Sequence, residues 1–263
     1  MHRLFISDLH LDPSRKDLTA VFTGFLERRG RQAEDLYILG DLFSYWTGDR
    51  DASGYHLSVA RSLRDLPGRK FFIPGNRDFL LGRRFCARCG MTLLQDNTVL
   101  EDNGRRILLC HGDGLCTLDV AYQKFRRFRS RPLNLMLYSL LPRFIRLRMA
   151  SRVREDAREE KSTKTPEMMD VCQADLLTLM EELDTRICIH GHTHRPGHHL
   201  LPGNMIRLVL GDWRRDGFEF LLQEDRRLSL IHADPAGNER LLFALPEDFP
   251  AGASGPLAGT EDC

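Results

Sequence analysis

The chain has no long apolar run, no low-complexity tract and almost no net charge, and each absence excludes a class of protein. Its longest greasy stretch, residues 133–141, is already broken by Asn134 and Ser139 and stops at Pro142, well short of the ~20 residues a bilayer-crossing helix needs. The opening residues 1–8 meet a charge at once, so a strand is expected there and not a secretory leader. With 38 Lys and Arg against 37 Asp and Glu the formal charge is +1, which speaks against a general polyanion binder, and no nucleic-acid partner is expected. Seven cysteines are an odd number for a disulfide scaffold, and the one C-x-x-C, Cys86 and Cys89, has no second pair to complete a zinc knuckle. Reduced thiols packed on a helix face are the expectation.

What is present is 263 residues, 42% of them apolar, enough for a continuous core. Short runs rich in Ile, Leu and Phe at 4–7, 36–40, 71–74, 107–110, 186–189 and 206–210 read as buried strands, and 18–29 and 55–65 have helical period. Residues 217–222 and 227–232 alternate like antiparallel strands. The pattern predicts an α/β fold, a mixed sheet or sheet sandwich flanked by helices. Residues from 246 onward are rich in Ala, Gly and Pro, which predicts a disordered tail over 246–263.

Polar residues follow these strands in a regular way: Asp8 and His10, Asp41, Asn76, His111, then His192 and His194. Strand ends are where the loops of an α/β sheet converge on one crevice. One such residue is usually a cap, but the set supplies two carboxylates, an amide and four imidazoles, the inventory of a two-metal centre. Oxygen mixed with imidazole suits Mn²⁺, Fe²⁺ or Zn²⁺ better than Ca²⁺, and two ions sharing a carboxylate activate water and neutralise phosphoryl oxygens. Gly40, Gly75 and Gly191 are expected to turn the chain tightly beside the ligands.

Residues 121–164 stand apart, with 13 Lys and Arg against 4 Asp and Glu, leaving 25 against 33 elsewhere. Apolar residues interleave with the arginines, either as a basic amphipathic surface over lipid or as a helical hairpin with a solvated basic face; periodicity alone favours the hairpin.

The ordered motifs Asp-x-His, Gly-Asp, Gly-Asn-x-Asp, His and Gly-His-x-His resemble those of the calcineurin-like metallophosphoesterases. The resemblance implies a four-layer αββα sandwich with one ion held by Asp8, His10, Asp41 and His194 and the other by Asp41, Asn76, His111 and His192. Ser44 stands where many members have an aspartate and Arg77 where many have a histidine, departures that match the UDP-2,3-diacylglucosamine diphosphatase branch, to which the chain is similar from residue 3 to about 232. That branch implies a core of 1–120 and 165–245 with an inserted helical lid at 121–164 that holds acyl chains. It further implies two divalent ions, Mn²⁺ expected, and a monomer peripheral to the cytoplasmic face of the inner membrane. The implied reaction is water attack on the α-phosphorus of UDP-2,3-diacylglucosamine in lipid A biosynthesis, with Asp41, Asn76, Arg77, His111 and His192 catalytic. Substrate contacts are implied at Asn76, Arg77, Asp119, Tyr122, Arg154, Lys161, Lys164 and His192. Ala157 and Lys161 fall where a serine and an asparagine are expected, which bears on the lid contacts.

Two other readings are open: a soluble nucleotide phosphodiesterase that keeps the metals, and a non-catalytic scaffold. A surface salt bridge is the plain alternative for Arg77. Asp78 is expected to orient His10 or another ligand, and Gly211-Asp212-Trp213 to serve packing.

Overall fold

Alternation along the buried strands sets the layering. In the computed structural model, which describes residues 1–149, 152 and 165–249, strand β1 (His2–Ile6) sends Leu4 and Ile6 to one apolar cluster and Phe5 to another, as the two-residue period of a strand requires. The first cluster lies beneath three helices, α1 (Lys16–Arg28), α2 (Gly54–Arg64) and α3 (Arg83–Cys89). The second is shared between two sheets. A third joins the far face of the second sheet, through Leu108 and Cys188, to Leu176 and Met180 of the helix Gln173–Glu182. Helix, sheet, sheet, helix is therefore the order of layers.

The first sheet runs β12-β11-β10-β1-β2-β3-β4 and the second β5-β6-β7-β9-β8. Strands β1, β2 (Asp35–Leu39), β3 (Arg69–Ile73) and β4 (Met91–Leu93) are mutually parallel. So are β6 (Arg105–Leu109), β7 (Ile187–His190) and β9 (Met205–Val209) in the second sheet. Carboxyl ends of these strands carry the loops of interest. The antiparallel margins are β5 (Thr98–Asp102), β8 (Gly197–Leu201), β10 (Phe218–Glu224), β11 (Arg227–Ala233) and β12 (Glu239–Leu245).

Local sequence explains the helices. Leu18, Val21, Phe22, Phe25 and Leu26 form one buried stripe on α1. Ser53 and His56 close a capping box at the start of α2, and Gly90 ends α3 with φ 65°. Cys86 and Cys89 are buried on α3, as expected of thiols packed on a helix face.

Beyond the core, Asp119 caps α4 (Val120–Arg129), Pro132 starts α5 (Pro132–Leu140), and residues 143–149 are again helical. No residue of α5 is buried, and Leu140 and Phe144 are 73% and 71% exposed. One departure from expectation lies at the end of the chain. Residues 246–249, assigned by composition to the tail, fold back so that Phe249, 2% exposed, enters the cluster between the sheets. The rest of that tail lies outside the described residues.

Candidate active site

Five of the seven ligand candidates have left-handed backbone: Asp8 (φ 55°), His10 (48°), Asp41 (55°), His192 (67°) and His194 (55°). Side chains rarely adopt this region, each instance costing on the order of 1 kcal/mol or more, and such strain clusters where function holds it in place. Gly40, at φ 90°, turns the chain before Asp41. Gly75 and Gly191 are not among the residues of positive φ; what the structure shows them to provide is space. A Cβ on Gly75 would lie 2.2 Å from the Asp41 Oδ1, and one on Gly191 would lie 2.1 Å from the Asp8 Oδ2.

The seven side chains fall into two overlapping groups. In the first, His194 Nε2 is 3.2 Å from Asp8 Oδ1 and 3.2 Å from His10 Nε2, while His10 Nδ1 is 3.8 Å from Asp41 Oδ2. In the second, Asn76 Oδ1 lies 3.0 Å from both His111 Nε2 and His192 Nδ1, and His111 Nε2 is 3.7 Å from Asp41 Oδ1. The two oxygens of Asp41 thus face different groups. Donor atoms of Asp8, His10 and His194, and of Asp8, Asp41 and His111, converge closely enough for each trio to share one ion.

Charge balance points the same way. Burial, with the Asp78 and Asp8 carboxylates near by, pushes Asp41 up to about 7. Burial also works against an imidazolium at His111, but the carboxylates of Asp41, Asp8 and Asp113 outweigh it and hold that ring up to about 9. His10 and His192 are pushed down to about 4, chiefly by burial. The cluster therefore sets buried carboxylates against two rings held neutral, His10 and His192, and one held protonated, His111, and His111 Nδ1 is fixed 2.8 Å from the Leu39 carbonyl, which leaves Nε2 facing the cluster. This donor set, oxygen and imidazole without thiolate, fits divalent transition ions.

A family model for the calcineurin-like phosphoesterases matches residues 1–196. The chain belongs to that family. Among its relatives in the family, a UDP-2,3-diacylglucosamine hydrolase of Ectopseudomonas mendocina is 46% identical over 221 residues, 82% of this chain and 91% of that protein. One of Aliivibrio fischeri is 44% identical over 81% of this chain and 91% of that protein, and one of Escherichia coli O7:K1 is 44% identical over 88% and 99%. Among solved structures, a dimetal phosphatase from Danio rerio, only 14% identical, superposes over 92% of this chain and 98% of its own with a TM-score of 0.52, which shows a shared fold.

The remaining candidates separate by position. Arg77 donates its backbone N–H to Asp41 Oδ1 at 2.8 Å, and its half-buried guanidinium has no hydrogen-bond or ion-pair partner among the described residues, so the salt-bridge reading finds no carboxylate. Asp119 accepts from the Tyr122 N–H at 3.0 Å, and the Tyr122 ring stacks 6.5 Å from that of His192. Arg154, Lys161 and Lys164, like Ala157, lie outside the described residues. Asp78 does not touch His10. Its carboxylate instead accepts from the N–H groups of Asp41, Leu42, Phe43 and Gly75 at 2.7–3.4 Å, tying the loops after β2 and β3 together. Trp213 packs on Phe218, as expected, whereas Asp212 comes within 3.7 Å of His194 Nδ1.

Sequence reasoning missed one cluster. Asp113, 2% exposed, accepts from the Tyr122 hydroxyl, from Arg126 at 3.0 Å and from Arg129 at 3.4 Å, and Arg129 also donates to the Asn76 carbonyl at 2.9 Å. These arginines of α4 fasten the insertion to the loops that carry Asn76 and His111. The only hint in the sequence is Asp113 two residues after His111; Arg126 and Arg129 are indistinguishable there from the other arginines of a basic run.

Proposed function

We propose that the chain hydrolyses the diphosphate of UDP-2,3-diacylglucosamine, with water attacking the α-phosphorus to give UMP and 2,3-diacylglucosamine 1-phosphate. The reading rests on one observation above all: Asp41 presents one carboxylate oxygen to the Asp8–His10–His194 group and the other to the Asn76–His111–His192 group. The names and near-full coverage of the curated relatives support the substrate. Asp8, His10, Asp41 and His194 would hold one divalent ion and Asp41, Asn76, His111 and His192 the other, a mixed oxygen and imidazole set that suits Mn²⁺, the ion we propose, as it does Fe²⁺ and Zn²⁺. Such a pair supplies an activated water and neutralises phosphoryl oxygens.

The chain's own residues do the rest. Arg77, without a side-chain partner among the described residues and close enough for its charge to bear on His10, is placed to take a phosphoryl oxygen through its planar fork of donors. His192, with Tyr122 stacked beside it, borders the same space and contacts the phosphate. Asp119, with Arg154, Lys161 and Lys164, completes the proposed substrate contacts. Gly75 and Gly191 let Asp41 and Asp8 approach the neighbouring loops, and Asp78 keeps those loops in register. Residues 121–164 form the lid in this reading, the rest of 1–245 the core. In this reading the protein is a monomer. Leu133, Met136, Leu137, Leu140 and Phe144 are exposed apolar residues on a stretch that includes Arg131 and Arg143, which supports peripheral contact with the cytoplasmic face of the inner membrane.

The test compares UMP release from the lipid substrate in neutral-detergent mixed micelles with cleavage of a water-soluble phosphodiester. A rate for the lipid substrate that far exceeds the other and varies with detergent supports the proposal. A preference for the soluble diester, indifferent to detergent, moves the chain to a soluble phosphodiesterase.

A further inference from the structure

Outside the catalytic crevice, the loop after β2 and the exposed side of α3 enclose a depression of about 360 Å³ lined by Asp49, Arg50, Arg84 and Arg88. Its charge is lopsided, three guanidinium groups against one carboxylate. That carboxylate is already committed: Asp49 accepts from the Trp46 indole N–H at 3.1 Å, from Gly82 N at 2.9 Å and from Phe85 N at 2.9 Å. Arg50, Arg84 and Arg88 are exposed, and none of them has a hydrogen-bond or ion-pair partner among the described residues. Three unpaired arginines around one hollow repel one another, and an anion seated between them would relieve that repulsion.

The position of the hollow says which anion. Arg50 lies one residue before Asp51, and Asp51 pairs with Arg146 at 3.0 Å and with Arg143 at 3.9 Å, both from the helical stretch 143–149. The arginine hollow is thus joined through one residue to the foot of the segment that exposes Leu140, Phe144 and Met149. Exposed apolar side chains on one segment, and unpaired guanidinium groups at the turn to which that segment is anchored, match the two chemistries of a bilayer interface, acyl chain and phosphate.

We propose that Arg50, Arg84 and Arg88 form a binding site for the phosphate of an anionic phospholipid headgroup, a second point of attachment that orients the molecule on the membrane. The proposal rests on the membrane contact read above for the segment 133–149. Each arginine near an anionic surface is worth about a fivefold change in partitioning, so reversing all three should weaken it by ~100-fold or more.

The experiment is co-sedimentation of the full chain with vesicles of phosphatidylcholine containing a quarter phosphatidylglycerol, for the wild type, for an Arg50→Glu/Arg84→Glu/Arg88→Glu variant and for a Leu140→Ser/Phe144→Ser variant. UMP release in neutral-detergent micelles serves as the folding control for the first variant and should be unchanged. Loss of vesicle binding by the arginine variant with that activity intact supports the site. Wild-type binding by the arginine variant, with loss in the Leu140/Phe144 variant, removes the headgroup site and leaves the membrane reading standing. Absence of binding by the wild type overturns both.

Discussion

Gly191→Ala isolates how closely the loops must approach for the site to form. The added Cβ would lie 2.1 Å from Asp8 Oδ2 and 2.1 Å from Ser7 Oγ, where ordinary contacts need well over 3 Å, so the loop after β7 must retreat by roughly 1 Å. That loop carries His192 and His194, and the His192 N–H now donates to the same Asp8 oxygen at 2.8 Å. Overpacking of this kind costs about 1–3 kcal/mol in stability. A displacement of about 1 Å at a reacting centre costs on the order of 100-fold in turnover. The proper comparison is Gly54→Ala in the first turn of α2, whose added Cβ would meet nothing within 4 Å and which should gain ~0.5–1 kcal/mol from helix propensity. Denaturant melts, Mn²⁺ titration calorimetry and UMP release would be measured on both. Wild-type metal affinity and turnover in Gly191→Ala would refute the close-approach argument.

Three further outcomes are expected. Asp78→Ala strands buried N–H groups of Asp41, Leu42 and Gly75 and should destabilise the fold by about 3 kcal/mol or more in a urea melt, with Asp78→Asn intermediate; an unchanged midpoint would show that these bonds carry no weight. Mn²⁺ affinity should rise from pH 6 to pH 9, up to ~tenfold per unit for each proton displaced, because the Asp41 carboxyl at about 7 and the His111 ring at about 9 must lose protons to ligate; calorimetry giving a flat profile contradicts this. Arg77→Ala should lower turnover by about 100-fold while leaving the melting temperature within a degree, since its guanidinium has no partner among the described residues; equal losses of both would return Arg77 to a structural role.

The legibility of this chain in its sequence follows from where the physics is local. Short apolar runs at 4–7 and 107–110 marked β1 and β6 as buried strands, and polar residues directly after strands marked the crevice, because strand ends fix those side chains whatever else the chain does. Strand β12 escaped because its Glu-Arg-Leu-Leu-Phe-Ala-Leu does not alternate and is largely exposed. Phe249 escaped because one aromatic residue in an Ala-, Gly- and Pro-rich stretch gives no period. The roles of Gly75, Gly191 and Asp78 depend on a neighbour more than 30 residues away, and no spacing within their own loops reveals it. Arg126 and Arg129 sit in a run whose charge suggested lipid or solvent, yet a single buried carboxylate, Asp113, draws both inward.

The most direct test of the two-group centre is UMP release from UDP-2,3-diacylglucosamine by three preparations: metal-stripped protein, the same protein reloaded with Mn²⁺, and Mn²⁺-loaded His111→Ala. Release by the reloaded protein alone is the predicted result. Undiminished release by the metal-stripped protein or by His111→Ala would contradict it.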